Sequence, residues 1–232
     1  MMRCRRRHPL RAAGLVNRPS RRRLAAAVVL AAAAALGAAQ ARHGRLFPPE
    51  DLGLLEGPDR DAWQRPDQIM DAIGIADGAK VADLGAGGGW FTIRLARRVG
   101  PNGVVYAEDI QPQMIEAITR RVQREGLRNV QTILGAADDP RLPEGRVDAV
   151  LIVNVYNEME DPVALLRNVA RALAPKGRLG VIDFTRDGWG PGPPMEERVD
   201  PDRIVGDAEQ AGLRLVKRET FLRYQYLLIF SR

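Results

Sequence analysis

Cysteine and histidine are nearly absent from this sequence of 232 residues. The single cysteine is Cys4, and the two histidines are His8 and His43. Disulfide frameworks, cysteine-ligated zinc sites and cysteine nucleophiles all need thiols, so none of them is expected beyond residue 4. With so few imidazoles, a Ser-His-Asp triad and a histidine metal cluster are also excluded, and we expect no metal site.

Long apolar runs are lacking as well. The longest, residues 24–39, is mostly alanine and is shorter than the roughly 20 residues that a membrane-spanning helix needs, so we expect no stable membrane span. This run follows an arginine-rich stretch and ends in Ala39-Gln40-Ala41, which fits a small-x-small cleavage site. Together the three parts predict a signal or targeting leader over residues 1–41.

Three consecutive arginines, Arg21 to Arg23, stand before Leu24 in this leader, a pattern that resembles a twin-arginine export signal. We therefore expect an exported protein, periplasmic or secreted. Two alternatives stay open. An arginine- and alanine-rich start without acids is also typical of an organellar transit peptide, and a start codon assigned too far upstream would leave a cytoplasmic protein.

Charge is unevenly divided along the chain. The net charge of +6 would favour a nucleic-acid partner, but nine of the 35 basic residues lie in residues 1–41, which contain no acid. The remaining chain holds 26 basic against 29 acidic residues. Because this body is slightly acidic, we expect no nucleic acid among its partners.

A glycine-rich turn joins an apolar run to a segment with helical spacing of its apolar residues. The run ends in Asp83, the turn contains Gly85, Gly87 and Gly89, and the helical segment begins at Trp90. Strand, turn and helix in this order open a nucleotide-binding βαβ unit, in which glycine lets the backbone approach a ligand closely. A Gly-x-Gly-x-x-Gly dinucleotide fingerprint would need its third glycine at position 90, so a nicotinamide oxidoreductase is disfavoured.

Acids follow at the end of the second predicted strand. Asp109 lies 24 residues after Gly85, where a strand-end acid is placed to bind ribose hydroxyls, and Glu108 is the alternative. A solvated acid at a strand end remains the other interpretation. Further on, the apolar run 147–153 predicts a buried strand whose carboxyl end leads into Asn154 and so faces a ligand crevice.

Hydrophobic periodicity and turn residues predict alternating strands and helices over most of the body. The predicted strands are 80–84, 104–107, 130–134, 147–153, 179–184, 213–221 and 224–230. The predicted helices are 66–73, 90–99, 112–125, 163–173 and 202–211. The Pro- and Gly-rich segment 187–194 cannot be regular, and we interpret it as a lid with Trp189 as its apolar contact, or as a plain surface loop.

From about Trp63 onward the chain resembles class I S-adenosylmethionine (SAM) methyltransferases, and most nearly the quinone-biosynthesis type and its uncharacterised relatives. The resemblance rests on residues 81–89, 106–114, 148–153 and 171–179. It implies an α/β fold: a Rossmann-like, seven-stranded, mostly parallel sheet with helices on both faces and a C-terminal antiparallel hairpin. The implied organisation is a leader over 1–41, a linker or arm over 42–61, and a methyltransferase domain over 62–232.

The resemblance also implies the residues that bind SAM. They come from the glycine turn, the second strand end, the turn after the third strand and the fourth strand end: Asp83, Gly85, Ala86, Gly87, Gly89, Asp109, Ile110, Asp138 and Asn154. At Asp138, a turn-forming aspartate before proline explains the residue nearly as well.

The chain departs from this family beside the expected catalytic group, since relatives often read Tyr-His-Glu where this chain reads Tyr156-Asn157-Glu158. Without that histidine, the candidates for a general base are Glu158, Tyr156 and Asp183. Two hypotheses follow. The chain is a SAM-dependent methyltransferase acting on a small or lipid-like acceptor, or it is a non-catalytic SAM-binding module. The sequence gives no oligomeric state.

Overall fold

The computed structural model describes residues 46–188 and 190–232. The leader predicted over 1–41 and the proposed lid contact Trp189 lie outside these residues. Seven strands follow one another in the chain: β1 (Lys80–Leu84), β2 (Val104–Asp109), β3 (Val130–Leu134), β4 (Val147–Val153), β5 (Leu173–Phe184), β6 (Arg214–Glu219) and β7 (Gln225–Ser231).

These strands form one sheet in the order β3-β2-β1-β4-β5-β7-β6. The first five are parallel to one another, whereas β7 is antiparallel to both β5 and β6. The predicted seven-stranded, mostly parallel sheet with a C-terminal hairpin is therefore confirmed. Its centre is apolar on both faces, as expected for parallel strands covered by helices.

Six α-helices accompany the sheet within the described residues: α1 (Arg60–Gln64), α2 (Pro66–Ile73), α3 (Trp90–Val99), α4 (Pro112–Arg124), α5 (Pro162–Ala172) and α6 (Pro201–Gln210). The apolar residues of α2 and α3 pack on one face of the sheet, and those of α5 and α6 pack on the other. This arrangement confirms helices on both faces. None of the helices in the described ranges is long and apolar enough to cross a membrane.

Four strands differ from their predicted bounds: β6 and β7 by one or two residues at their ends, β2 at its carboxyl end and β5 at its start. β2 continues to Asp109, so both acids at its end belong to the strand. β5 starts at Leu173, directly at the end of α5, whereas the helix was predicted to reach residue 173 and the strand to begin at residue 179. Leu173 pairs with Val147, the chain then bulges, and pairing resumes between Arg178 and Ala149. The residues between Leu173 and Arg178 are thus accommodated within the β4–β5 pairing as an irregularity.

The segment expected to be a linker or arm contains regular structure. Residues Pro49–Glu56 form 3₁₀ turns, and α1 begins at Arg60. The short helices Tyr156–Glu158 and Met195–Glu197 follow β4 and β5 respectively.

The sheet order locates the candidate site. From β1 the chain builds outward through β2 and β3, and then returns to pair β4 with the other side of β1. At such a reversal the loops after neighbouring strands diverge and leave a crevice at the carboxyl ends of the strands. The glycine turn after β1, the acids at the end of β2 and Asn154 after β4 all lie at this edge.

Candidate functional site

The glycine turn after β1 has a backbone that other residues adopt with difficulty. Gly85, Gly87 and Gly89 have φ values of +69°, +54° and +79°. At Gly85 space is limiting as well, because a Cβ there would come within 2.9 Å of Val155 Cγ2. The turn therefore requires glycine and presents bare main chain to the crevice.

The acids of β2 hold this turn in place. The Gly87 N–H donates to Asp109 Oδ2 at 3.0 Å, and the Gly85 N–H donates to Glu108 Oε2 at 3.3 Å. The other oxygen of Asp109 accepts the Gln111 N–H at 2.9 Å. Since a carboxylate oxygen can accept more than one hydrogen bond, Asp109 keeps acceptor capacity for a ligand in the crevice.

Asp83 connects β1 to the first turn of α3. Its carboxylate is 2% exposed, and Oδ2 accepts the Thr92 hydroxyl at 2.6 Å. This buried bond fixes the angle at which the helix leaves the glycine turn, and so sets the shape of the crevice floor.

A cavity of about 200 Å³ lies over the turn. Six of the acids in the described chain line it, namely Glu56, Asp83, Glu108, Asp109, Glu158 and Glu160, whereas Arg60 is the one basic residue in the lining. The described residues contain no group of three acids, histidines or cysteines arranged to hold a metal ion. So acidic a cavity favours a ligand that carries positive charge.

Burial raises the pKa of the carboxyl groups in this cavity. The pKa of Asp83 is about 6, that of Glu158 about 7 and that of Glu108 about 8, in each case mainly because the charged form is removed from water. Neighbouring acids raise the pKa of Glu108 and Glu158 further, and burial also raises the pKa of Asp109. A bound cation would favour their ionised forms.

The indole ring of Trp90 contacts two arginines. The Arg60 guanidinium is 4.0 Å from the centroid of the indole ring, and that of Arg94 is 3.5 Å away. Arg94 also pairs with Asp61, and Arg60 Nε donates to Gln64 Oε1 at 2.5 Å. Burial lowers the pKa of Arg60 to about 10, so it stays cationic at neutral pH.

Most of the predicted cofactor residues are brought together at this cavity. Asp83, Gly85, Ala86, Gly87, Asp109, Ile110 and Asn154 line it. Asn154 has a φ of 60°, and its Oδ1 accepts Gln225 Nε2 at 2.6 Å, which orients its amide group.

Two predicted cofactor residues lie elsewhere. Gly89 is the N-cap of α3 and packs toward Ile118 rather than lining the cavity. Asp138 is exposed, and its carbonyl accepts Asn168 Nδ2 at 2.6 Å. Its neighbours Ala136 and Ala137 line the cavity in its place, because the turn after β3 directs the aspartate outward.

Of the three predicted bases, only Glu158 lines the cavity. Tyr156 is 2% exposed in the core beneath α5 and α6, and its hydroxyl donates to Asp207 Oδ2 at 2.9 Å. Asp183 is also buried, and its Oδ1 accepts the Phe184 N–H at 2.7 Å. The structure therefore does not bring Tyr156 or Asp183 to the cavity, since their side chains enter the core on one face of the sheet.

Several residues at the cavity were not found from the sequence. Arg60, Phe47 and Glu56 belong to the segment interpreted as a linker or arm, and Gln111 begins α4. The Phe47 N–H donates to Glu158 Oε2 at 2.9 Å across 111 residues of sequence, a separation that no local pattern reports. For Arg60 the run Asp59-Arg60-Asp61 before Trp63 was the available signal, and it was too weak to separate Arg60 from a solvated arginine.

Comparison with known proteins gives a consistent result. Residues 81–177 match the model of a protein family that is described as a methyltransferase domain. An uncharacterized methyltransferase of Mycobacterium bovis is 35% identical over 148 residues, which cover 60% of this chain and 57% of that protein. The ubiquinone/menaquinone biosynthesis C-methyltransferase UbiE of Pasteurella multocida is 36% identical over 130 residues, which cover 53% of this chain and 46% of that protein.

The chain thus spans about half the length of the curated relatives it matches. Among solved structures, a SAM-dependent methyltransferase from Aquifex aeolicus has a TM-score of 0.76 and 27% identity, and the match covers 80% of this chain and 98% of that one. The Aquifex aeolicus protein therefore shares its fold with this chain over nearly its own whole length.

The raised pKa values have a consequence for stability. The folded chain holds these protons more tightly than the unfolded chain, whose carboxyl pKa values are about 4, so the stabilising contribution is complete below that value. This contribution is lost as the pH rises through the pKa values of the folded chain, which run from about 6 for Asp83 to about 8 for Glu108. We expect the ligand-free protein to be more stable at pH 5.5 than at pH 8.5, as measured by urea unfolding.

Replacing Glu108 by glutamine should flatten this pH dependence, because the variant has no proton to lose at that position. Glu116→Gln, on the exposed face of α4, is the matched control and should keep the wild-type slope. Equal slopes in the wild type and Glu108→Gln would contradict the burial argument.

Proposed function

Because the chain belongs to the class I SAM-dependent methyltransferases, we propose that it transfers a methyl group from SAM to a small or lipid-like acceptor. The observation that carries this proposal is the glycine turn held by the β2 acids beneath an acid-lined cavity.

The residues present fit SAM. Its sulfonium and ammonium groups are cations, which suit a cavity with six acids, and its carboxylate needs a cation, which Arg60 supplies. The bare main chain at Gly85 and Gly87 leaves room for the amino-acid part of the molecule. Asp109, which keeps unused acceptor capacity, suits the ribose hydroxyls.

When bound, SAM supplies an electrophilic methyl group and a neutral leaving group. The chain's own contribution is to bind both partners and to align them, which can provide a large part of the rate enhancement. Glu158 is the candidate base because it lines the cavity and burial raises its pKa to about 7, close to the value that favours proton transfer near neutral pH.

The surroundings of Glu158 suggest an apolar acceptor. Val155, Met159 and Leu165 line the same cavity, together with Leu46 and Phe47. The similarity to UbiE of Pasteurella multocida supports a quinone-related acceptor. Removing a proton from a phenolic hydroxyl activates both that oxygen and the ring carbons beside it, so one carboxylate in this place serves either O- or C-methylation.

A non-catalytic SAM-binding module is the second candidate. It is favoured by Asn157 standing where relatives often carry histidine, and by the engagement of Glu158 with the Phe47 N–H. The two candidates differ in turnover and agree in cofactor binding.

The cellular location belongs to the proposal as well. We infer export from the leader pattern at residues 1–41, with organellar or cytoplasmic placement as the alternatives. An exported methyltransferase would need a supply of SAM outside the cytosol, so the mature N-terminus determines which acceptors it meets.

Methyl transfer tests the proposed function directly. With methyl-labelled SAM and an extract of lipids and phenols, we expect label in an apolar product, with kcat/KM rising with pH through about 7, the pKa of Glu158. Glu158→Gln should lower kcat/KM by roughly 10²- to 10⁴-fold, the usual contribution of a general base, and should remove the pH dependence.

Glu197→Gln is the control for this test. Glu197 is exposed and raises the pKa of Glu158 through its like charge, so its removal should keep the rate and move the pH dependence to lower pH. SAM binding without transfer to any compound in the extract would favour the binding module instead.

The assignment of Arg60 can be tested with a ligand that lacks the carboxylate. Wild-type protein should bind SAM more tightly than decarboxylated SAM by about 10- to 100-fold, the range for a charge-assisted hydrogen bond. Arg60→Met should abolish this preference in calorimetric titrations. Arg94→Met, which removes the second guanidinium over the Trp90 ring, should retain this preference, because Arg94 does not line the cavity. Equal weakening of both ligands by Arg60→Met would show that Arg60 acts only through packing.

A further inference from the structure

Residues 46–56, which we call the strap, contribute Leu46, Phe47 and Glu56 to the lining of the cavity. At one end both main-chain polar groups of Phe47 are engaged: its N–H donates to Glu158 Oε2 at 2.9 Å, and its carbonyl accepts Gln111 Nε2 at 3.1 Å. Glu158 follows β4 and Gln111 follows β2, the two neighbours of β1 in the sheet. Phe47 therefore bridges the two sides of the crevice above the glycine turn.

The other end of the strap lies against the turn itself. A Cβ added at Gly88 would be 3.3 Å from both Leu52 Cδ2 and Glu56 Oε1. Arg121 on α4 pairs with Glu56 and also donates to the Gly88 carbonyl at 3.2 Å. The strap is thus fastened to three elements that form the crevice.

With the strap in this position the cavity is small. Its volume of about 200 Å³ is below the roughly 300–1,000 Å³ of typical small-molecule sites. A methyltransferase site must hold SAM and an acceptor together, and the strap takes up part of the cavity that they would share. Since Leu46 and Phe47 are part of the lining, displacement of the strap would enlarge the cavity directly.

Part of the apolar surface of the strap is exposed. Leu54 is 77% exposed and Leu46 is 39% exposed, whereas Phe47 and Leu52 are half-buried, so of these four it is mainly the latter two that contribute apolar burial opposing release. Segments with few buried contacts and exposed hydrogen bonds open at a small cost in free energy. The bonds at Phe47 and the ion pair at Glu56 are therefore the main restraints on the strap.

The bond at Glu158 bears on the acceptor. Glu158 Oε2, an oxygen of the only candidate base at the cavity, is occupied by an N–H of the chain itself. The donor belongs to an apolar residue, because Phe47, whose N–H bonds Glu158 Oε2, also lines the cavity. Because Phe47 and Glu158 line the same cavity, an acceptor that approaches Glu158 Oε2 from the Phe47 side competes with Phe47 for the same space.

On the basis of the proposed function, we propose that the strap is an autoinhibitory segment: the Phe47 N–H occupies the position on Glu158 that the acceptor's O–H or N–H takes, and the strap leaves this position before methyl transfer. The acceptor class that follows is an apolar molecule with a hydroxyl or amine N–H at the methylated atom or beside it.

Leu46 and Phe47 of the strap line the cavity that SAM would enter, so release of the strap can be measured through the rates of SAM binding. Tryptophan fluorescence of the full chain in a stopped-flow instrument reports these rates. Gln111→Ala removes one bond to Phe47 and should raise the association and dissociation rate constants together by about 3- to 10-fold, as expected for loss of one hydrogen bond. Leu52→Ala, which weakens the contact with the turn, should act in the same direction. Gln113→Ala, an exposed glutamine on the same helix, should leave both rates unchanged.

Wild-type rates in both Gln111→Ala and Leu52→Ala would overturn the proposal while leaving the methyltransferase assignment intact. A full chain that binds no SAM at all would instead overturn the proposed function, and this inference with it.

The acceptor class has its own readout. Chymotrypsin cleavage within the strap should become several-fold faster when 1-naphthol is added and should not change with 1-methoxynaphthalene, which has no O–H; an unrelated unfolded substrate corrects for effects on the protease. Equal acceleration by both compounds, or none by 1-naphthol, would contradict the replacement of the Phe47 N–H by an acceptor donor.

Discussion

Two adjacent carboxylates at the end of β2 fix the glycine turn after β1, and the rest of the site depends on this restraint. The parallel register pairs Leu84 with Glu108, so the turn begins directly beside the acids. Asp109 then accepts the Gly87 N–H, and Glu108 accepts the Gly85 N–H. Without these acceptors the main-chain donors of a strained turn would lack partners, and the start of α3 would not be held.

The same acids make the ligand-free cavity electrostatically costly. Burial of a carboxylate without a countercharge is unfavourable, and here burial keeps the pKa of Glu108 at about 8. A ligand with a sulfonium and an ammonium group offsets that cost. The guanidinium of Arg60 in turn offsets the cost of burying the ligand's single carboxylate. Fold, charge and ligand are therefore linked: the strand ends that create the crevice also determine the charge of the molecule that it binds.

The sequence predicted the parts of the fold that depend on local periodicity. β1, β3, β4 and α3 have the expected bounds, because an apolar run or an amphipathic repeat bounded by glycine has few other solutions. The strand-end position of Asp109 and the direction of Asn154 toward the crevice follow from the same topology.

What the sequence could not predict depends on side-chain direction and on distant pairs. Tyr156 follows β4 and Asp183 belongs to β5, both at the edge of the sheet where the site lies. Both side chains nevertheless enter the core. Arg60 and Phe47 reach the site from a segment without periodicity, and the contact between Phe47 and Glu158 joins residues 111 positions apart. Contacts of this kind are set by tertiary packing and leave no local pattern.

The most direct measurement is a crystal structure of the protein grown with SAM. The account predicts the adenosyl group over residues 83–89, with its ribose hydroxyls on Asp109 and its carboxylate at Arg60. SAM bound elsewhere, or an empty cavity at saturating ligand with the acids still bonded to the glycine turn, would contradict it.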